Sequence, residues 1–156
     1  MTTQKIVFTR RQAIKAAGVG ALALAGGLMP RAATATPERL AAYLAKMTGG
    51  KKAVAGKVTL KLPEIAENGA TVPLTVAVDS PMTDDNYVKN IIIAAEKNPN
   101  PEVVVFHLTP ASGKAEVTTR IRLGSTQDVV ATALMSDGSV YAGKRNVKVT
   151  IGGCGG

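Results

Sequence analysis

The sequence has one cysteine, one histidine, no tryptophan and only 3% aromatic residues. A single cysteine cannot close an internal disulfide, so it either pairs with another molecule or works as a free thiol. Cys154 and His107 together are too few ligands for a structural zinc site. No Ser-His-Asp set, glycine-rich phosphate loop or carboxylate pair stands out. The sequence therefore predicts neither a metal site nor a cofactor, and it favours a core built from aliphatic side chains.

Long hydrophobic runs are also absent. The main apolar stretch, 16–28, has 13 residues, and a membrane-spanning helix needs about 20. The twin arginine Arg10-Arg11 precedes it, and Ala33 and Ala35 follow it as small residues at positions −3 and −1 of a cleavage site. This order is typical of a twin-arginine export signal. We expect cleavage after Ala35, a periplasmic location and no stable membrane insertion.

The charge of the chain lies largely in that signal. Residues 1–35 hold five of the 19 basic residues and none of the 11 acidic ones, so the remaining chain has a net charge of +3 rather than +8. It contains no dense basic stripe with interleaved aromatics, so we expect no nucleic-acid partner. Some cations lie either on solvated strand faces or where they could attract an anion or an acidic partner, and the sequence leaves both interpretations open. They are Arg120, Arg122, Lys144, Arg145 and Lys148.

The residues after the signal, 36–151, predict one β-rich domain. A helix begins with Thr36 as its cap and Pro37 in its first turn, and it ends at Gly49-Gly50. Short segments rich in β-branched residues follow, separated by turn formers. The predicted strands span 57–62, 71–78, 88–95, 103–109, 115–123, 128–136 and 139–151. Seven strands at this spacing predict an immunoglobulin-like antiparallel β-sandwich.

The C-terminal end carries the lone cysteine. Val147, Val149 and Ile151 alternate with polar residues, which predicts that the last strand is anchored in the core. Beyond Ile151, residues 152–156 are predicted to form a flexible arm, because glycine has no Cβ and adopts both signs of φ. The arm consists of Gly152, Gly153, Cys154, Gly155 and Gly156. The sequence therefore predicts a thiol on a slim tether at one pole of the sandwich.

The terminal segment 147–156, VKVTIGGCGG, resembles the carrier-arm signature of the SoxY family. This family provides the sulfur-carrier subunit of the periplasmic thiosulfate-oxidising complex. Four further segments are similar to SoxY proteins, and the resemblance covers nearly all of the chain after the signal. These segments are 63–69 with 72–73, 119–123, 126–129 and 135–139.

The resemblance implies a function for the cysteine. In SoxY proteins the thiol that corresponds to Cys154 carries the sulfane sulfur of thiosulfate as an S-thiosulfonate. The carrier itself is not an enzyme. It pairs with SoxZ, and partner enzymes process the adduct: the haem protein SoxAX loads it, the hydrolase SoxB releases sulfate, and the dehydrogenase SoxCD oxidises the remaining sulfur.

Other functions remain open at this point. The carboxylate of Gly155-Gly156 could carry sulfur as a thiocarboxylate, in the manner of ubiquitin-like carriers. Alternatively, the sandwich could be a periplasmic assembly module whose tail has no chemistry. Two copies could also join through Cys154 in a disulfide, as a storage state.

Overall fold

A computed structural model describes residues 37–153 of the chain. The predicted signal and its cleavage site lie outside these residues, as do Thr36 and the segment Cys154-Gly155-Gly156. None of the described helical residues belongs to a helix long and apolar enough to cross a bilayer.

The helix, α1, spans Pro37–Thr48. It ends where predicted, because Gly49 and Gly50 adopt φ values of 64° and 77°, which disfavour residues with a Cβ. The Gly50 amide donates to the Ala45 carbonyl at 2.7 Å. This 6→1 bond caps the helix end in a Schellman arrangement.

All seven predicted strands are present, and two short strands join them. One sheet has the order β1-β9-β8-β5-β6 with β3 also paired to β9, and the other has the order β2-β4-β7. Pairing among the seven predicted strands is antiparallel throughout. The immunoglobulin-like β-sandwich is therefore confirmed. The strands are β1 (Val54–Ala55), β2 (Val58–Lys61), β3 (Ile65–Asn68), β4 (Val72–Val78), β5 (Val88–Ala95), β6 (Glu102–His107), β7 (Glu116–Ile121), β8 (Gln127–Met135) and β9 (Val140–Ile151).

Aliphatic side chains fill the space between the sheets, as the shortage of aromatics predicts. Ile91 and Ile93 of β5 are fully buried in this core. Ile92 is also fully buried, although it points to the other face of the sheet, because α1 contacts β5 there. This face is therefore covered by the helix, which explains why β5 lacks the alternation of a strand with one solvated face.

Strand β9 organises the sheet that carries the arm. Its inner neighbour is β8, and its outer edge pairs in parallel first with β1 and then with β3, where Ile65 lies opposite Lys148. Val147 is fully buried. The expectation that Ile151 is a buried anchor is wrong: it is 68% exposed. Backbone pairing with Asn68 of β3, rather than side-chain burial, holds the end of this strand.

One buried hydroxyl under α1 gives a stability prediction. Thr132 is 1% exposed, and its Oγ1 has no hydrogen-bond partner among the described residues. An unpaired buried hydroxyl lowers the free energy of unfolding. We expect Thr132→Val, which keeps the β-branched shape, to raise that free energy by about 1 kcal/mol and the Tm by about 4 °C.

Calorimetry of the chain without its predicted signal, residues 36–156, measures this change. The matched control is Thr118→Val, because the exposed Thr118 hydroxyl lies 3.0 Å from that of Thr75. The control should change stability by less than about 0.5 kcal/mol. A loss of stability in Thr132→Val would contradict the assignment of an unpaired hydroxyl.

Candidate functional site

Three backbone hydrogen bonds hold the end of β9 against two loops. The Gly69 amide donates to the Ile151 carbonyl at 2.7 Å, the Leu123 amide donates to the Gly69 carbonyl at 2.8 Å, and the Gly153 amide donates to the Leu123 carbonyl at 3.0 Å. The turn after β3, the loop after β7 and the C-terminal segment are thereby tied together. We call the surface formed by Gly69, Leu123 and Gly124 the glycine slot.

Three glycines at the slot are packed too closely against backbone to carry a side chain. A Cβ added at Gly152 would overlap the Gly124 carbonyl oxygen, and one at Gly153 would lie 2.7 Å from the Gly69 carbonyl carbon and oxygen. A Cβ at Gly69 would overlap the Leu123 carbonyl oxygen and lie 2.7 Å from the Gly153 nitrogen. None of these three glycines has a positive φ. Their requirement for glycine is therefore steric.

The arm thus differs from the expectation at its first two residues. We expected free chain from Gly152 onward, yet Gly153 is buried and its amide is hydrogen-bonded. Gly152 and Gly153 serve close packing here rather than freedom of φ. Cys154, Gly155 and Gly156 lie outside the described residues, and their predicted role as the carrying part of the arm stays a prediction.

Two buried amides fix the loop that receives Gly153. Asn98 Nδ2 donates to the Arg122 carbonyl at 2.9 Å, and Asn98 Oδ1 accepts from the Gly124 amide at 3.0 Å. Gln127 Nε2 donates to the same Oδ1 at 2.8 Å. Asn98 and Gln127 are each 1% exposed, so loss of either would leave buried polar groups unpaired.

Sequence reasoning missed this support. Asn98 lies in the run Asn98-Pro99-Asn100-Pro101, which predicts a turn and nothing more. The amides of Asn98 and Gln127 meet only because the loop before β6 lies beside the start of β8 in the sandwich. A long-range contact of this kind leaves no local pattern in the sequence.

The cations near the C-terminal strand are only partly free. Lys144 lies 2.9 Å from Asp128, and Arg145 lies 3.7 Å from Glu64. Hydrogen bonds from Lys144 and Asn146 lower the pKa of Asp128. The hydrogen bond and charge of Asp128 in turn raise the pKa of Lys144. Both pairs lie at the surface, so they contribute little to stability.

The other candidate polar residues lie at or just beyond the ends of β6 and β7, and they are exposed. Arg120 is on the exposed face of β7, and Arg122, the first residue after this strand, is also exposed. His107 is exposed, and its Nδ1 lies 2.8 Å from Asn90 Oδ1. Within residues 37–153, no group of three His, Cys, Asp or Glu side chains is placed to hold a metal ion.

The family model described as "Sulfur oxidation protein SoxY" matches residues 44–154. The chain belongs to the SoxY family. A solved structure of the sulfur carrier protein SoxY from Chlorobium limicola f thiosulfatophilum is 34% identical, covers 72% of this chain and 92% of that chain, and superposes with a TM-score of 0.62. The chain is therefore a member of a sulfur-carrier family.

More distant structures share the fold alone. A superoxide reductase (neelaredoxin) from Ignicoccus hospitalis is 14% identical over 60% of this chain and 80% of its own, with a TM-score of 0.54. A putative superoxide reductase from Thermotoga maritima is 16% identical over 63% and 87%, with a TM-score of 0.51. No curated protein sequence matches the chain significantly.

The steric requirement of the glycine slot can be tested within the slot itself. We expect Gly69→Ala to lower the free energy of unfolding by about 1–3 kcal/mol, because the new methyl group forces backbone apart. Gly124→Ala should be neutral or slightly stabilising, since a Cβ there has ordinary contacts of 3.7 Å to Asn98 Oδ1 and 4.0 Å to the Gly153 oxygen. Urea unfolding of both variants checks the difference. Equal effects would contradict the packing described for the slot.

Proposed function

We propose that this SoxY protein carries thiosulfate-derived sulfur covalently on Cys154. Support comes from family membership and from the position of this thiol, one residue after the buried Gly153. A cysteine there is rooted at a fixed point of the domain, and no bulky neighbour blocks its approach to a partner. The lone thiol, rather than a cluster of catalytic side chains, is the chemical group of the arm.

The loading step joins the Cys154 sulfur to the sulfane sulfur of thiosulfate. The thiol loses its proton and the new S–S bond forms with the release of two electrons, which the haem-containing partner takes up. The product is Cys–S–S–SO3⁻. Hydrolysis by a second partner adds water, breaks the bond to the sulfonate sulfur and releases sulfate with one proton, leaving the persulfide Cys–S–SH for oxidation by a dehydrogenase. The carrier supplies attachment, and we propose that it has no enzymatic activity of its own.

Mass spectrometry of the C-terminal peptide tests this assignment against the alternatives. The mature protein is incubated with thiosulfate and the haem-containing partner, digested and weighed with and without reductant. A gain equal to S2O3 on Cys154 that reductant removes supports the proposal. A gain on the Gly156 carboxylate would show thiocarboxylate chemistry, and no gain with partner binding intact would show an assembly module. Either result would overturn the proposal.

Cys154→Ser should abolish loading and thiosulfate oxidation. It should leave the unfolding temperature unchanged, because the hydrogen bonds that hold the slot end at Gly153 among the described residues. The loading assay and calorimetry check the two halves of this prediction. A variant that still oxidises thiosulfate would rule out Cys154 as the attachment site.

We also propose that the protein works in the periplasm, paired with SoxZ, with SoxAX, SoxB and SoxCD as transient partners. Family membership supports participation in a Sox complex, and the twin arginine supports export. Copies joined through Cys154 would be a storage form, since the disulfide occupies the attachment site.

The export proposal has a direct test. Replacing Arg10 and Arg11 by Lys keeps the charge but removes the arginine pair that the export machinery reads. We expect this variant to accumulate in the cytoplasm with the signal attached, whereas the natural chain is recovered from the periplasm cut after Ala35. Cell fractionation and intact-mass measurement give the answer. Normal export and processing of the variant would contradict a twin-arginine signal.

A further inference from the structure

A cavity opens between the two edge strands of the sandwich, beside the glycine slot. Its volume is about 230 Å³, and its lining comes from the loop before β6, from β6, from the end of β7 and from the first residue after β7. The lining residues are Asn98, Glu102, Val103, Arg120, Ile121 and Arg122. Two of the six are arginines, so the cavity combines a polar, cationic side with an apolar floor.

The cavity and the slot share structural elements. Asn98 lines the cavity and also binds the Gly124 amide of the slot. Arg122, another lining residue, directly precedes Leu123, whose carbonyl accepts from the Gly153 amide. Gly153, the last described residue, is therefore hydrogen-bonded to the loop that lines the cavity.

Arg120 reaches toward the slot from the other side. Its Nη1 donates to Thr71 Oγ1 at 3.4 Å. Thr71 follows Ala70, whose amide nitrogen lies 2.7 Å from the position of a Cβ on Gly153. Arg120 is thus linked to the root of the arm through Thr71 and Ala70, which are adjacent in the chain.

The two arginines are free to bind an anion. Among residues 37–153 neither forms a salt bridge, since the ion pairs there join Lys144 to Asp128 and Arg145 to Glu64. Glu102 is the counter-charge in the cavity. Burial raises the pKa of Tyr43, and the negative charge of Glu102 adds to this effect. Two guanidinium groups against one carboxylate leave the cavity a net positive charge.

The S-thiosulfonate proposed for Cys154 is an anion, which suits the positive charge of this cavity, and it is long enough to extend well beyond Gly153. Adjacent Cα atoms are 3.8 Å apart, and each S–S bond adds about 2 Å. The sulfonate oxygens of Cys–S–S–SO3⁻ can therefore lie up to roughly 10 Å from the Gly153 Cα. Guanidinium groups form strong charge-assisted hydrogen bonds to such oxyanions.

We propose that the Arg120–Arg122 cavity is a resting site for the sulfonate end of the adduct carried on Cys154. The inference rests on the proposed function, because it needs the carrier thiol. The cavity holds the loaded arm against its own domain between encounters with partners. It releases the arm when the sulfonate has left as sulfate, since the persulfide has no oxyanion for the arginines to bind.

The test loads the full mature chain without any partner. Tetrathionate supplies the same adduct: the Cys154 thiolate attacks an inner sulfur, a new S–S bond forms, the inner S–S bond of the reagent breaks, and thiosulfate leaves. Loading is confirmed by mass. Two readouts follow, the ¹⁵N resonances of the arginine side chains and the rate at which a neutral phosphine removes the adduct.

We expect loading to shift the Arg120 and Arg122 side-chain resonances and to leave that of Arg145 in place. Replacing both cavity arginines by Gln should speed adduct removal by about five-fold, the factor that an exposed charged contact supports. Arg145→Gln is the matched control, because it removes one charge about 20 Å along β9 from Ile151, and it should have no effect. Glu102→Gln, which removes the counter-charge, should slow removal.

Other outcomes overturn the proposal. If the loaded chain shows no arginine shift and the double variant loses its adduct at the natural rate, the cavity does not hold the arm. A Cys154→Ser chain titrated with free thiosulfate identifies the source of the anion: shifts of equal size there would show a site for free anions instead of the tethered group. If the haem-containing partner fails to load Cys154 while the tetrathionate adduct still shifts the arginines, the proposed function fails and the resting site stands.

Discussion

Close contact between bare backbone segments is the constraint on which the carrier end of this molecule depends. Gly152 and Gly153 lie against Gly69 and Gly124 so tightly that three of these four positions have no room for a methyl group. The hydrogen bonds across this contact join three segments that are far apart in sequence. The pair Gly152-Gly153, which the sequence predicts to be flexible, is therefore packed against the rest of the domain.

This arrangement links two buried polar side chains to the segment that precedes Cys154. Asn98 and Gln127 use buried amides to fix the loop after β7. That loop carries Leu123, which binds the arm, and it continues from Arg122, which faces the cavity. Under the proposed function, a fixed root at Gly153 limits where the sulfur adduct can travel, and we infer that it presents the thiol to each proposed partner from the same starting point.

Much of the fold could be predicted from the sequence, because it follows from local patterns. The turn formers and β-branched runs predict seven strands, and Gly49-Gly50 predicts the end of α1. The two strands that were missed, β1 and β3, have two and four residues and pair in parallel with a strand more than eighty positions later. Pairing of that kind depends on the tertiary fold and leaves no periodic signal.

At the candidate site, the sequence singles out the cysteine but not the packing of the residues before it. The lone Cys154 among glycines stands out in the sequence, and the family match extends to this residue. The steric role of Gly69 does not stand out, since Asn68-Gly69 reads as an ordinary turn. In the same way, alternation in β7 predicts that Arg120 and Arg122 share a face, whereas their nearness to the arm comes from the loop geometry around Thr71.

The central place of β9 has a consequence for how the protein is made. This strand lies between β8 on one side and β1 and β3 on the other, yet it follows all of them in the chain. Until β9 has been synthesised, the larger sheet lacks one of its interior strands, and β1 and β3 lack the strand with which they pair. The larger sheet therefore cannot form completely before β9 has been synthesised, although most of its other strands precede β9 by many residues.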